Sequence, residues 1–196
     1  MSDITNYYNQ HAQEFFSHTY DVNMEQLYEP FLRYIQHNGL ILDLGCGSGR
    51  DSLAFKNKGY HVDAIDFSEH LVEKATQFSG IVVRHQSFYD LNERSKYDAI
   101  WACASLLHCE RTKLVDVFTR IITALKANGV CYASFKYGST DREKDGRSFT
   151  DLNEQQAEQL LRQLPNTLLL QQWITIDKRP NRNEEWLNLI FRKIEQ

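Results

Sequence analysis

An acid and three glycines form the pattern in this sequence that is best suited to binding a ligand. Asp43 follows an apolar run, and Gly45, Gly47 and Gly49 then occupy alternate positions. Glycine has no Cβ, so these positions allow a sharp turn and a close approach between backbone and ligand. The apolar run, residues 40–44, predicts a strand buried on both faces, and the polar residues after the glycines lead into a helix. This succession of strand, turn and helix predicts the nucleotide-binding corner of a doubly wound α/β fold.

The spacing of the glycines distinguishes two classes of ligand. A dinucleotide fingerprint, G-x-G-x-x-G, seats a pyrophosphate at a helix N-terminus, whereas this chain has G-x-G-x-G. The run DLGCGSG at residues 43–49 resembles motif I of the class I S-adenosylmethionine-dependent methyltransferases. That cofactor has a carboxylate, an ammonium, a sulfonium and a ribose, and a nearby acid suits its cationic groups. The resemblance implies S-adenosyl-L-methionine as the cofactor, S-adenosyl-L-homocysteine as the product, no metal, and cofactor contacts from Asp43, Gly45, Cys46, Gly47, Ser48 and Gly49.

A second acid stands at the distance expected for a ribose contact. Asp66 ends the next predicted strand, 21 positions after Gly45, and folds of this kind use an acid there to accept hydrogen bonds from ribose hydroxyls. A carboxylate accepts two hydroxyl donors at once. Asp63 competes for this role but falls within the strand. We therefore favour Asp66, and we add its neighbour Phe67 to the predicted cofactor contacts.

The third segment of the resemblance departs from the family pattern. In the family an acid often follows strand 3 and contacts the adenine amino group, but Ser87 stands at that position here. We predict that Ser87 gives a hydroxyl or backbone contact and that Phe88 forms an aromatic wall. Asp90 is the alternative to Ser87 if the loop bends. The resemblance also implies that the backbone near Ala102, at the end of strand 4, lies beside the cofactor.

His108 is the candidate catalytic residue. It follows strand 4 at the carboxyl edge of the sheet, where such folds bind ligands, and a neutral imidazole can accept a proton from a substrate oxygen or nitrogen. A packing or helix-start role is the alternative. The sulfonium methyl is already activated, so transfer mainly needs an in-line nucleophile in a site shielded from water. The acceptor is predicted to contact Tyr8, Thr19, Tyr137 and Arg147.

Alternating strands and helices must position these residues. Amphipathic helices, among them 49–58 and 111–126, separate five apolar runs that predict strands at 40–44, 60–65, 81–84, 97–102 and 130–136. Such alternation implies a parallel sheet with helices on both faces. Two final strands, 167–176 and 186–192, are joined by a loop too short for a helical crossover and are predicted to pair antiparallel. The predicted fold class is α/β, a Rossmann-like doubly wound sheet of seven strands, mostly parallel with an antiparallel C-terminal hairpin. The resemblance implies the strand order 3-2-1-4-5-7-6.

Two segments outside this alternation bear on the site. Helical periodicity at residues 5–19 and 23–36 predicts two N-terminal helices, which act either as a lid over the ligand or only as a cover for the sheet. Pro30 kinks the second helix or marks its start. The polar segment 138–150 is predicted to be a mobile loop.

Length and composition narrow the class of protein. We expect the 196 residues to form a single domain, with N-terminal helices over the site at 1–37 and a Rossmann-like core at 38–196. The net charge of −4 and the lack of a basic run argue against a nucleic-acid partner. Residues 1–10 lack the apolar core of a signal peptide, and no stretch approaches the length of a membrane span. Because the four scattered cysteines also fit a reducing compartment, we expect a cytoplasmic location.

The predicted function is transfer of a methyl group from S-adenosylmethionine to an O, N or S nucleophile of a small molecule by in-line displacement. An NAD-dependent oxidoreductase on a similar sheet is one alternative, although the glycine spacing argues against it. A non-catalytic S-adenosylmethionine-binding module is another, because the sequence contains no compelling base. Neither the acceptor nor the oligomeric state can be read from the sequence.

Overall fold

A seven-stranded mixed sheet forms the centre of the molecule. The computed structural model describes residues 3–179 and 181–195, and the strands are β1 (Leu40–Leu44), β2 (His61–Asp66), β3 (Val83–His85), β4 (Tyr97–Ala102), β5 (Leu125–Lys136), β6 (Asp141–Lys144), β7 (Arg147–Thr150), β8 (Thr167–Ile176) and β9 (Glu185–Lys193). The order in the main sheet is β3-β2-β1-β4-β5-β9-β8. Strands β1 to β5 pair in parallel, whereas β9 pairs antiparallel with both β5 and β8. The predicted fold class is confirmed, and the order matches the implied one when β6 and β7 are left out of the count.

Helices pack on both faces of this sheet. The described residues form α1 (Asp3–Gln10), α2 (Ala12–Ser17), α3 (Glu25–Leu32), α4 (Arg50–Asn57), α5 (Glu69–Ser79), α6 (Leu114–Ala124) and α7 (Glu154–Arg162). Local capping fixes several ends: the Ser68 side chain accepts the Leu71 N–H at the start of α5, and left-handed Gly80 ends that helix. Among the described residues, no helix combines the length and apolarity that a bilayer crossing requires.

The N-terminal helices differ from the prediction in their bounds. The helix predicted over 5–19 is divided at His11, whose N–H donates to the Tyr7 carbonyl of α1 and whose carbonyl accepts the Phe15 N–H of α2. The helix predicted over 23–36 ends at Leu32, and Pro30 lies inside it rather than at its start. The apolar spacing therefore indicated helical structure correctly but not its interruptions.

Apolar side chains are buried on both faces of the sheet. On one face, Phe31 of α3 and Phe55 of α4 pack against Trp101 of β4, which stacks on Tyr132 of β5 with ring centroids 3.9 Å apart. On the other face, α6 and α7 cover a larger cluster that includes Phe118. Because the central strands are buried on both sides, they read in the sequence as continuous apolar runs.

The segment predicted as a mobile loop is a β-hairpin, so that prediction is wrong. Strands β6 and β7 pair antiparallel around a turn in which Asp145 and Gly146 have φ of 53° and 70°. The Arg142 guanidinium donates to both carboxylate oxygens of Asp151, and the Thr150 hydroxyl donates to the Cys109 carbonyl at 2.7 Å. The strands are rich in charge and have no apolar alternation, so the usual sequence signal for a strand is missing.

Candidate active site

The glycine turn after β1 has the backbone geometry that its composition predicts. Gly45, Gly47 and Gly49 all have positive φ, at 80°, 56° and 78°, which is the left-handed region that favours glycine. A Cβ at Gly45 would lie 2.5 Å from the Ser105 Cβ, so this position has no room for a side chain. The turn is held against the neighbouring strand because the Gly45 and Cys46 N–H groups both donate to the Ile65 carbonyl.

Asp66 is fixed next to this turn at the end of β2. Its carboxylate oxygens accept the Gly47 N–H and the Ser68 N–H, each at 2.9 Å. Burial raises the pKa of Asp66, and the two backbone hydrogen bonds oppose that rise. Asp66 lines a small cavity of about 40 Å³ together with Phe67, Leu71 and Phe88. A hydrogen-bond acceptor of fixed orientation thus lines a cavity that has several apolar side chains in its wall.

Asp43 lies behind the turn rather than in a cavity. It accepts a hydrogen bond from the Ser52 hydroxyl of α4 at 2.6 Å and is 2% exposed. Burial raises the pKa of Asp43, and the nearby Asp51 carboxylate raises it further. Asp43 is not among the described residues that line the two cavities of the site. Its geometry suits an indirect role, in which it joins the start of α4 to the end of β1.

A buried polar network begins directly after the turn. The Asp51 carboxylate accepts hydrogen bonds from Arg50 Nε at 2.6 Å, from the Tyr28 hydroxyl at 2.5 Å and from Trp101 Nε1 at 2.8 Å. Burial alone would raise the pKa of Asp51, but the Arg50 guanidinium and the hydrogen bonds from Tyr28 and Trp101 together outweigh it, and the pKa is lowered. The network links the glycine turn to the centre of the sheet. Sequence reasoning missed it, although an Arg–Asp pair in the first turn of a helix after a glycine motif was the available signal.

A larger cleft opens on the other side of the glycine turn. Its volume is about 240 Å³, and Gly45, Cys46, Gly47, Ser48 and Arg50 form part of its wall. The small and large cavities share Gly45 and Gly47, so the turn borders both. The two cavities therefore adjoin the same turn, and Asp66 lines the small one.

The N-terminal helices form part of the wall of both cavities. Tyr8 of α1 and Phe15 of α2 line each of them. Phe15 Cε1 lies 3.0 Å from the position that a Cβ at Gly47 would occupy, and the rings of Tyr8 and Phe67 meet edge to face at 5.9 Å. These aromatic contacts place α1 and α2 directly on the glycine turn.

Tyr8 and His108 form a hydrogen-bonded pair that borders both cavities. The Tyr8 hydroxyl lies 2.8 Å from His108 Nε2, and His108 Nδ1 lies 3.0 Å from the Ser148 carbonyl. A carbonyl only accepts, so Nδ1 carries the proton and Nε2 accepts from Tyr8 when the ring is neutral. Burial lowers the pKa of His108 to about 4, which favours the neutral ring. Burial also raises the pKa of Tyr8, while Arg147 opposes that rise.

The remaining predicted contacts are distributed unevenly. Thr19 and Arg147 line the large cleft, and Phe67 and Phe88 line the small cavity. Tyr137 is exposed and donates to Glu154, Ser87 accepts the Tyr89 N–H at the start of a short 3-10 turn, and Gly49 packs on Ala75. Ala102 is fully buried in β4. The described lining of the two cavities therefore does not include Tyr137, Ser87, Gly49 and Ala102, or the alternative Asp90.

Ala104 and Ser105, which follow Ala102 in the chain, line the site at the end of β4 where Ala102 was expected. Ala104 has a φ of 52° and lines both cavities, and Ser105 lines the smaller one. The Ser105 hydroxyl donates to the Leu44 carbonyl at 2.6 Å. The left-handed residue turns the chain across the carboxyl edge of the sheet, and a non-glycine residue in that conformation gives no sequence signal. In the described part of the chain, no group of three or more His, Cys, Asp or Glu is arranged to hold a metal ion.

Comparison with known proteins agrees with this geometry. Residues 41–129 match a family model described as a methyltransferase domain. The matched segment runs from β1 into β5 and includes the glycine turn, and the strand order is the one that the resemblance to the class I S-adenosylmethionine-dependent methyltransferases implies.

Individual relatives are distant. YqeM of Bacillus subtilis (strain 168), described provisionally as a methyltransferase, is 28% identical over 137 residues, which cover 62% of this chain and 56% of YqeM. The chain spans about half the length of the curated relatives it matches.

Solved structures extend the likeness to nearly the whole chain. Burkholderia thailandensis 1,6-didemethyltoxoflavin-N1-methyltransferase, solved with 1,6-didemethyltoxoflavin and S-adenosylhomocysteine, superposes with a TM-score of 0.82 at 18% identity, over 98% of this chain and 88% of that one. Magnesium protoporphyrin IX methyltransferase from Synechocystis PCC 6803, solved with S-adenosylmethionine, gives a TM-score of 0.75 at 16% identity over 98% of each chain. At these identities the likeness establishes the fold.

Proposed function

We propose that this chain is an S-adenosylmethionine-dependent methyltransferase that acts on a small molecule. The observation that carries the proposal is the buried Asp66 carboxylate, which the Gly47 and Ser68 N–H groups hold in a cavity beside the glycine turn. The cofactors bound to the two superposable enzymes support it, since both enzymes have the same fold.

The donor and acceptor groups along the site fit the cofactor. Asp66 is an acceptor for ribose hydroxyls, and Phe67, Leu71 and Phe88 offer an apolar wall to a flat base. On the side of the large cleft, Arg50 is paired with Asp51 and offers its remaining N–H donors to the carboxylate of the amino-acid part. When bound, the cofactor supplies a methyl group that its sulfonium has already activated.

His108 Nε2 is the proposed proton acceptor, and the Tyr8 hydroxyl that is hydrogen-bonded to it is the proposed relay from the cleft that both residues line. The neutral ring leaves Nε2 free to take the Tyr8 proton, while the Tyr8 oxygen accepts one from the acceptor molecule. A pKa of about 4 makes His108 a weak base. His108 is therefore better suited to accept a proton that becomes strongly acidic as the methyl group is transferred. It is less suited to remove a proton from the acceptor before the transfer.

The N-terminal helices are proposed to shield this chemistry from water. Phe15 and Tyr8 lie over the turn from α2 and α1 and border both cavities. Water exclusion strengthens the electrostatic interactions inside a site and prevents side reactions. If α1 and α2 only cover the sheet, removal of the Phe15 and Tyr8 rings should have no effect on the bound cofactor.

Binding of S-adenosylhomocysteine, measured by calorimetry, tests the proposal. The parent chain is expected to bind it, and Asp66→Asn is expected to weaken binding at least about tenfold, because hydrogen bonds to a charged group contribute about 1.5–3 kcal/mol. Asp63→Asn is the matched control, since Asp63 lies in the same strand but pairs with Lys96. Melting temperatures show whether each variant is folded.

Two outcomes would contradict the cofactor assignment, and two further measurements test the alternative functions. Failure of the folded parent to bind S-adenosylhomocysteine, or unchanged binding by a folded Asp66→Asn variant, would overturn the cofactor assignment. A titration followed by NADH fluorescence tests the oxidoreductase alternative. Transfer of labelled methyl groups to a metabolite extract separates an enzyme from a module that only binds the cofactor.

A further inference from the structure

The large cleft is rich in cations although the chain as a whole is acidic. Among the described residues, seven Lys or Arg and three Asp or Glu line it, whereas the net charge of the chain is −4. Lys136 at the end of β5 and Arg147 at the start of β7 lie 5.2 and 5.3 Å from the ring centroid of Phe149. Two cations from different parts of the fold are thus brought to one aromatic ring.

The cations of the cleft differ in how well they are neutralised. Arg179 donates to both oxygens of Asp177, and Lys136 is paired with Glu184. Among the described residues, the carboxylate that pairs with Arg147 is that of Asp145, at a long distance of 3.5 Å and with 60% of the Asp145 side chain exposed. A pair of that geometry contributes little.

Arg147 also has a hydrogen-bond donor without an acceptor. Its Nε is buried and has no hydrogen-bond partner within the described parts of the chain, although buried donors are almost always satisfied. The guanidinium lies 4.2 Å from the centroid of the Tyr7 ring and 6.0 Å from that of Tyr8. An incompletely neutralised cation therefore stands beside the pair that is proposed to handle the proton.

The surrounding surface defines the rest of the ligand. Tyr7, Tyr8, Phe149 and Trp186 contribute aromatic rings to the same cleft. A cation next to several rings suits a molecule that has an apolar, flat body and an anionic group.

We propose that the methyl acceptor is a small organic anion whose carboxylate or phosphate is bound by Arg147, with Lys136 beside it and the aromatic rings against its body. This inference rests on the proposed function, since it names the class of molecule that the same site methylates. Arg147 thereby selects the acceptor and holds it next to Tyr8.

Matched acids and amides provide the test. In the presence of S-adenosylhomocysteine, binding is measured by calorimetry for benzoate against benzamide, for 4-hydroxybenzoate against 4-hydroxybenzamide, and for phenyl phosphate, each at low and high salt. We expect the acids to bind at least about tenfold more tightly than the amides, and the preference to shrink with added salt.

Variants identify the residue responsible. Arg147→Gln is expected to remove the preference for acids, and Arg147→Lys to keep part of it because the charge remains. Arg162→Gln is the matched control, since Arg162 is 77% exposed on α7 and pairs with Glu158. Whether the carboxylates or phenyl phosphate bind more tightly distinguishes the two anionic groups.

Each outcome decides between the two proposals. If the parent binds S-adenosylhomocysteine but shows no preference for acids, the inference about the acceptor is overturned and the proposed function stands. Failure to bind either member of an acid–amide pair counts as no preference. An acid preference that survives in a folded Arg147→Gln variant likewise overturns it. If the parent does not bind S-adenosylhomocysteine, the proposed function fails first.

Discussion

Asp43 depends on a neutral donor for its place beneath the glycine turn. The Ser52 hydroxyl donates to it at 2.6 Å, and Ser52 is fully buried. Ser52→Ala is expected to lower the free energy of unfolding by about 1–3 kcal/mol, because it leaves a buried acceptor without this donor. Urea denaturation measures the change.

Ser17→Ala is the matched control for Ser52→Ala. The Ser17 hydroxyl also donates a hydrogen bond, to the Gln13 carbonyl, but in an exposed part of α2. Surface substitutions of this kind usually change the free energy of unfolding by less than about 0.5 kcal/mol. Equal effects of the two variants would contradict the importance of the contact with Asp43.

His108 is expected to make stability depend on pH below neutrality. Burial lowers its pKa from 6.5 to about 4, so the unfolded chain binds more protons than the folded chain between these values. The free energy of unfolding should therefore fall as the pH decreases from 6.5 to 4, by on the order of 3 kcal/mol at most.

The variant that checks this pH dependence is His108→Gln. Urea denaturation at several pH values should give a flatter curve between pH 6.5 and 4 than that of the parent. The same substitution at exposed His61 serves as the control. An unchanged slope in His108→Gln would show that other groups carry the pH dependence.

At the scale of elements, α2 is expected to retain the bound cofactor. Phe15 lines both cavities and lies against Gly47. Phe15→Ala should increase the dissociation rate of S-adenosylhomocysteine by about tenfold, because it removes the ring that lies over the glycine turn while the Asp66 contacts persist. Stopped-flow displacement by unlabelled ligand measures the rate.

Phe16→Ala provides the comparison on the same helix. The Phe16 ring stacks on Tyr20 at 5.2 Å and meets Phe78 edge to face, away from the two cavities. A similar dissociation rate for both variants, or no change in either, would indicate that α2 covers the sheet without acting as a lid.

The elements that the sequence indicated share a strong local signal. Strands β1 and β4 are buried on both faces, so their apolar runs stand out. Asp66 was located because it ends the next predicted strand at a set distance from the glycine turn. The β6–β7 hairpin was missed because long-range contacts hold it, among them Arg142 with Asp151. Strands stabilised by charge pairs leave no apolar period for a sequence to display.

The site shows the same division between local and long-range signals. The glycine turn can be predicted from the local sequence, since the three positive φ angles lie in the region that favours glycine. The hydrogen bond between Tyr8 and His108 joins positions 100 residues apart, and Asp51 meets Trp101 across 50. Such pairings depend on the topology of the sheet, so one sequence does not reveal them.

For the whole molecule, Trp101 connects the packing of the sheet to the chemistry of the site. Its ring stacks on Tyr132 in the central core, and its Nε1 donates to Asp51 beside the glycine turn. Trp101→Phe is expected to lower the free energy of unfolding by about 2–4 kcal/mol, through lost buried area and a lost hydrogen bond to a charge. It should also weaken S-adenosylhomocysteine binding, because Asp51 orients Arg50. Denaturation followed by circular dichroism measures the first effect and calorimetry the second.

Trp173→Phe separates the two contributions of Trp101. Trp173 packs at the edge of the same apolar cluster, 6.2 Å from the Tyr132 ring, and is only half-buried. The Trp173→Phe variant should lose about 1 kcal/mol in free energy of unfolding, because it loses apolar contact. It should keep the parent's affinity for S-adenosylhomocysteine, because Asp51 is not disturbed. If Trp101→Phe loses stability but binds S-adenosylhomocysteine as the parent does, the indole N–H serves only the core. If affinity falls with stability in Trp101→Phe alone, the centre of the sheet holds the Arg50–Asp51 pair in its binding geometry.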